Sequence, residues 1–336
     1  MARRVSEQVV VVTGASSGVG RAIARAFGRA GAKVALLARN VDALQNAAEE
    51  IRQAGGEAMV LPLDVSEDKE VFAAADKVVE TWGRIDTWVN NAMVSVFSPV
   101  EKMTPEEYRR VTDVTYLGAV YGTLAALRHM KPRDEGTILQ IGSALAYRSI
   151  PLQSAYCASK AAMRGFTDSV RTELFHDKSR VKICMLQLPA VNTPQFDVVR
   201  TRLPHRAQPV PPIFQPEVIA QAALYAAEHP KRELWIALSA WKAILGQKII
   251  PGLLDRYLAR VGYSGQQTDQ PVSQARRVRD NLYSPLPGDM GAHGAFDTRA
   301  KSVSMELWLR MNRGWVAATA GVALAAGLGV RAWRNA

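Results

Sequence analysis

Tyr156 and Lys160 stand four residues apart, and Ser143 lies thirteen residues before the tyrosine. On a helix, residues four apart share a face. A free tyrosine has a pKa near 10, which leaves only about 0.1% phenolate at neutral pH. A cation about 4 Å away contributes about 4 kcal/mol at an effective dielectric of 20, or about three pK units before desolvation is charged. That spacing makes Tyr156 a general acid/base near neutrality, with Lys160 as its charge partner. Ser143 is placed to hydrogen-bond a substrate oxygen and polarise a carbonyl. Tyr-x-x-x-Lys alone is common on surface helices, so its meaning rests on what precedes it in the chain.

What precedes it is a phosphate-binding turn. The apolar run Val9–Val12 leads into Thr13-Gly14-Ala15-Ser16-Ser17-Gly18-Val19-Gly20, followed by a segment with helical spacing. Glycines let a main chain approach a pyrophosphate, and a helix N-terminus offers free N–H groups and the favourable end of its dipole. The same turn could be plain turn chemistry; its place between a strand and a helix argues for a nucleotide. A second strand ends at Leu36-Leu37-Ala38-Arg39-Asn40. In folds of this kind the end of that strand meets the adenosine ribose, where an acidic side chain favours the 2′-hydroxyl. Here Ala38 and then Arg39 occupy it, and a guanidinium suits phosphate. NADP(H) is expected over NAD(H), the alternative being a solvated loop charge. Asp64, with Val65 beside it, is placed to meet the adenine amino group, or else to cap a turn.

With these residues in order, the chain resembles the short-chain dehydrogenase/reductase family over about residues 7–240. The resemblance rests on the glycine turn, Asp64, Asn90-Asn91-Ala92, Ser143, Tyr156 with Lys160, and Pro189 with Thr193, and residues 152–160 match without a gap. It implies a three-layer Rossmann domain with a seven-stranded parallel sheet and Tyr156 as general acid/base. It further implies that Lys160 lowers the tyrosine pKa and binds the nicotinamide ribose, and that Ser143 orients substrate. Gly14, Ser16, Ser17, Gly18, Val19, Gly20, Arg39, Asp64, Val65, Asn90, Asn91, Ala92, Pro189 and Thr193 are the expected cofactor residues, together with Tyr156 and Lys160. Asn90 would line the cleft and Thr193 would contact the carboxamide. A homodimer or homotetramer is also implied. Three positions depart from the pattern. Thr115 replaces an asparagine that supports a water relay to the lysine, while Met93 and Ala190 replace glycines and add bulk near the cleft.

The implied reaction is hydride transfer between NADP(H) and a small-molecule carbonyl or secondary alcohol, the alternative being a non-catalytic NADP-binding sensor or scaffold. Phe196, Val198, Val199, Leu203, Ile213 and Phe214 follow Thr193, and Trp235, Trp241 and Ile244 come later. They suggest a hydrophobic substrate, or else ordinary packing. Arg200, Arg202 and Arg206 would attract an anionic group or stay in water.

These residues need elements to hold them. Short apolar runs at Val34–Leu37, Met59–Leu63, Thr87–Val89, Thr137–Ile141, Val181–Leu186 and Leu234–Leu238 read as strands. Ala-rich stretches such as Arg21–Ala30 and Ala43–Ala54 read as helices between them, and this alternation implies a doubly wound parallel sheet. The division expected is 1–240 as the nucleotide-binding domain, 241–261 as an amphipathic helical extension, 262–306 as an extended linker or wrap, and 307–336 as a C-terminal helix. Residues 314–330 carry no charge and are flanked by Trp and Arg. As a helix they would reach about 25 Å, slightly under a hydrocarbon core of about 30 Å. They are expected as a membrane anchor that holds the protein on the cytoplasmic side, or as a helix packed on the protein. Four valines are too short an apolar core for a secretory signal.

The 336 residues carry 42 Lys+Arg against 31 Asp+Glu, a net +11, with 48% hydrophobic residues. This composition excludes wholesale disorder. No dense basic run with interleaved aromatics occurs, so a nucleic-acid partner is not expected. Two cysteines, Cys157 and Cys184, without CxxC or metal-ligand spacing, fit a reducing compartment and no metal.

Overall fold

The structure, a computed structural model, describes residues 3–313. Its centre is a sheet of strands β1 (Val9–Thr13), β2 (Lys33–Ala38), β3 (Glu57–Pro62), β4 (Thr87–Asn90), β5 (Thr137–Ile141), β6 (Lys182–Gln187) and β7 (Glu233–Trp235). The spatial order is 3-2-1-4-5-6-7, and every neighbouring pair is parallel. Helices α1 (Gly18–Arg29), α2 (Val41–Gln53), α3 (Asp68–Trp82), α4 (Pro105–Thr112), α5 (Gly118–Met130), α6 (Ser154–His176) and α7 (Pro216–Glu228) flank it. This is the three-layer, doubly wound Rossmann arrangement. The order reverses direction at β1, which opens a crevice beyond the strand ends between β1 and β4.

A central parallel strand is covered on both faces, so it can be apolar throughout. β1 shows why four valines suit that position. Val10 and Val12 pack with Ile23 and Phe27 of α1 and with Ile219 and Ala223 of α7. Val9 and Val11 point the other way, into a cluster with Val71 and Val78 of α3 and Ala125 and Ala126 of α5. At the start of α4, Thr104 and Glu107 form a reciprocal capping box. A wider π-turn, Asp113–Leu117, then joins α4 to α5.

The chain beyond α7 departs from expectation in two places. The last strand spans only Glu233–Trp235, and Leu238 opens α8 (Leu238–Ile249). The single amphipathic stretch 241–261 is divided, because Pro251 lacks an N–H and instead takes a first-turn position in α9 (Pro251–Val261). Residues 262–304 then run back along the fold. Gln267–Pro271 pairs antiparallel with His205–Ala207, and Ala300–Lys301 pairs parallel with Ile213–Phe214, which pairs in turn with Ala190–Val191. The stretch 314–330, read from sequence as a membrane anchor, lies outside the described residues. Among the described residues, no helix is long and apolar enough to cross a membrane.

Candidate active site

A cavity of about 850 Å³ opens at the carboxyl ends of the strands, with the β1–α1 turn on one side and α6 on another. The turn is shaped by Gly14, whose φ of +67° suits glycine; a Cβ there would lie 2.8 Å from Asn91 Nδ2 and 2.9 Å from Ala92 Cα. The same closeness is fixed from the other side by Thr13. Its Oγ1 accepts from Asn91 N at 2.9 Å and Ala92 N at 3.0 Å, and donates to Val89 O. Asn91 Nδ2 donates back to Thr13 O at 2.9 Å. Thr13 was not singled out from sequence; its place as the last residue of a buried strand, facing β4, was the available signal.

Of the expected cofactor residues, Gly14, Ser16, Ser17, Gly18, Val19, Arg39, Asp64, Val65, Asn91, Ala92, Tyr156, Lys160, Pro189 and Thr193 line this cavity. Gly20 and Asn90 are not on its wall. Gly20 keeps α1 close to the turn, since a Cβ there would meet Gly14 O at 2.1 Å. Asn90 points into the interior, where Oδ1 accepts from Trp88 Nε1 at 2.8 Å and Nδ2 donates to Thr123 Oγ1 at 3.1 Å. Adjacent residues at a strand end face opposite ways, so only Asn91 of the pair reaches the cleft.

Ser143, Tyr156 and Lys160 converge on one wall. Ser143 follows β5 in extended conformation, and its Oγ accepts from Leu145 N at 3.1 Å. Lys160 is 2% exposed, and its Nζ donates to Ile141 O at 2.6 Å, tying α6 to the strand that delivers Ser143. Nζ lies 5.7 Å from the Tyr156 ring centroid. Burial lowers Lys160 to about 7. Burial raises Tyr156 well above its ordinary value, with a hydrogen bond to Ser143 pulling against it. The spacing argument put the phenol low because of the neighbouring ammonium. In the protein, burial shifts both groups toward their neutral forms.

Thr115 is not on the cavity wall. Buried in the π-turn, its Oγ1 donates to Val94 O at 2.9 Å and accepts from Val94 N at 3.1 Å, so its proton is not offered to Lys160. Met93 and Ala190, the two bulkier replacements, do border the cavity.

At the opposite end, Asp64 has both oxygens engaged. Arg110 donates to Oδ2, and Ser66 donates to Oδ1 from both N and Oγ. Burial would raise this carboxyl, but Arg110 and Ser66 hold it below the usual carboxylate range. Arg110 was missed from sequence, since its partner lies 46 residues away. Arg39 Nη1 is 3.9 Å from Asp64 Oδ2.

The apolar residues singled out after Thr193 divide. Phe196 and Val198 line the cavity. Val199 and Leu203 instead pack with Phe97 and Leu152, Ile213 and Phe214 are buried strand residues, and Trp235 stacks edge-on against Trp241 beside buried Ile244. The wall is completed by Leu145, Ile150 and Val210 and by Leu254, Tyr257, Leu258 and Val261, the amphipathic face of α9. Arg200 and Arg202 pair with Glu107, and Arg206 pairs with Asp197, so these three do not form an open anion site. Both cysteines are buried free thiols. Among the described residues, no cluster of His, Cys, Asp or Glu could hold a metal.

An uncharacterized oxidoreductase, YxnA, of Bacillus subtilis is 35% identical over 80% of this chain and 76% of its own length. The human dehydrogenase/reductase SDR family member 7 is 38% identical over about half of each chain, 51% in both cases. Among solved structures, the alcohol dehydrogenase of Thermococcus sibiricus complexed with 5-hydroxy-NADP superposes with a TM-score of 0.60 at 32% identity, covering 68% of this chain and 95% of that one. The family model for short chain dehydrogenases matches residues 8–203. With its sheet order, glycine turn and Ser143–Tyr156–Lys160 wall, the chain belongs to the short-chain dehydrogenase family of oxidoreductases, which use nicotinamide cofactors.

Proposed function

We propose that this protein is an NADP(H)-dependent oxidoreductase that interconverts an apolar carbonyl compound and its secondary alcohol. The observation that carries the reading is the single cavity bordered at one end by Ser143, Tyr156 and Lys160 and at the other by the Gly14–Gly18 turn and Arg39. The donor set fits a dinucleotide phosphate. The turn brings bare backbone close to the cavity, and Arg39 supplies a planar cation where an acidic residue would repel a 2′-phosphate. The NADP derivative bound by the Thermococcus relative supports the same choice.

When bound, the nicotinamide supplies or accepts the hydride. The chain's own residues handle the proton and the oxygen. In the reductive direction Tyr156 Oη gives its proton to the carbonyl oxygen while Ser143 Oγ donates to that oxygen, stabilising the charge that develops there. In the oxidative direction Tyr156 takes the proton back. Lys160, buried beside it and lowered to about 7, favours the phenolate in its protonated form and offers its remaining N–H groups to a ribose hydroxyl. Leu145, Ile150, Val210 and the α9 face favour an apolar substrate body.

The test is NADPH oxidation by the full chain across a panel of apolar ketones. Turnover with at least one class is expected, and Tyr156→Phe should lower it about 10²–10⁴-fold. Tight NADPH binding with no turnover across the panel would instead make the protein a dinucleotide sensor or scaffold.

A further inference from the structure

After Gln267–Pro271 the chain returns across the adenosine end of the cavity. Asn281 N donates to Val198 O at 2.9 Å. Arg39 then meets three consecutive carbonyls: Nη2 donates to Asn281 O at 2.7 Å, and Nη1 to Tyr283 O at 3.0 Å and Leu282 O at 3.5 Å. Leu282 O also accepts from Arg110 Nε at 3.0 Å, and its side chain is fully buried in the cluster that holds Leu37 and Leu63. Further on, Asn40 Nδ2 donates to Leu286 O at 2.8 Å and Gly288 O at 3.0 Å. Asp289 pairs with the buried Arg21 at 2.8 Å and accepts from Asn46 at 3.0 Å. Gly291 O accepts from Gly18 N at 3.0 Å, in the first turn of α1.

This segment is thus fastened to α1, to the β2–α2 turn and to α4, all of which surround the expected adenosine and phosphate positions. A wrap that served packing alone would fill the space beneath it. Here the space persists, with Asn281, Leu286, Gly288 and Met290 contributing one wall and Gly14 and Arg39 another. A guanidinium has five N–H donors. The segment takes three of those of Arg39, which leaves two for a further acceptor.

We infer that residues 281–291 are a strap that encloses the adenosine and pyrophosphate half of bound NADP(H), with Arg39 shared between strap carbonyls and the 2′-phosphate. The dinucleotide enters and leaves only when the strap lifts. The inference rests on the reading of this cavity as an NADP(H) site and deepens it. These fastenings lie on one short segment, so opening is a collective event and sets the rate of exchange.

Hydrogen-exchange mass spectrometry on the full chain, with and without saturating NADPH, tests this directly, alongside NADPH fluorescence to measure binding. Bound NADPH should slow exchange of the 281–291 amides by about tenfold or more. Asp289→Ala removes the strap's ion pair to Arg21 of α1 at a residue outside the cavity wall, and it should speed NADPH release by about tenfold. Unchanged or faster exchange in 281–291 while NADPH is bound would overturn the strap, as would wild-type release from a folded Asp289→Ala protein. Should that variant fail to fold, the exchange result on the unaltered chain decides. Absence of NADPH binding to the unaltered chain would sink the site reading, and the strap with it.

Discussion

The two ends of the cavity are held by different kinds of contact. At the Tyr156 end, Ser143 leaves the end of β5, and Tyr156 and Lys160 lie one turn apart on a 23-residue helix. Their positions follow from regular elements packed on the sheet, and Lys160 binds the strand itself through Ile141 O. At the Arg39 end, Arg39, Asn40 and Arg21 are held by segments up to 268 residues distant, mostly through backbone carbonyls and one carboxylate. The first kind of site is preorganised by the fold. The second is completed by residues late in the sequence.

Substitutions at the two ends should therefore separate chemistry from cofactor retention. Ser143→Ala should lower kcat about 10²–10³-fold, the cost of losing one donor to the reacting oxygen, while NADPH affinity stays near wild type. Steady-state kinetics and a fluorescence titration check both halves; a loss confined to affinity would merge the two ends. Arg39→Ala should raise the NADPH Kd about 10–100-fold and the NADH Kd much less, because a charge-assisted contact to the 2′-phosphate is lost. Equal losses for both dinucleotides would mean that Arg39 serves the strap alone.

Stability should also depend on pH. Burial holds Lys160 at about 7 in the folded chain, against 10.5 when unfolded. Across that window the unfolded chain binds a proton that the folded one does not, so this residue makes stability rise with pH from about 7 to 10.5. Below about 7 both states are protonated and its unfavourable burial is felt in full. Lys160→Met should remove that rise, and unfolding curves at several pH values would show it. A variant with the wild-type slope would place the pH dependence elsewhere.

The same contrast explains what the sequence could show. The glycine turn, Tyr156 with Lys160, and the strand–helix alternation are local patterns, because phosphate approach, helix periodicity and two-sided burial each require particular residues at short spacing. Asn90 and Asn91 look alike in sequence; only the alternation of a strand end separates an interior partner of Trp88 from a cleft residue. The tyrosine pair was legible in position but not in acidity, since burial acts on Lys160 and Tyr156 from neighbours far along the chain. The strap was least legible. Its contacts to Arg39 and Asn40 are made by main-chain carbonyls, which any residue supplies, so 281–288 carry no compositional mark of what they hold.

If the Tyr156 wall and the Arg39 end form one site for one dinucleotide, a cofactor held at the Arg39 end must deliver its hydride beside Tyr156. The most direct measurement is a single-turnover reaction with NADPH carrying deuterium at the transferable C4 position, followed by mass analysis of the alcohol formed. The unaltered chain should place the label on the carbinol carbon, and Tyr156→Phe should bind the same NADPH with near wild-type affinity yet form almost no labelled product. Labelled product forming at an undiminished rate in Tyr156→Phe would contradict a single site.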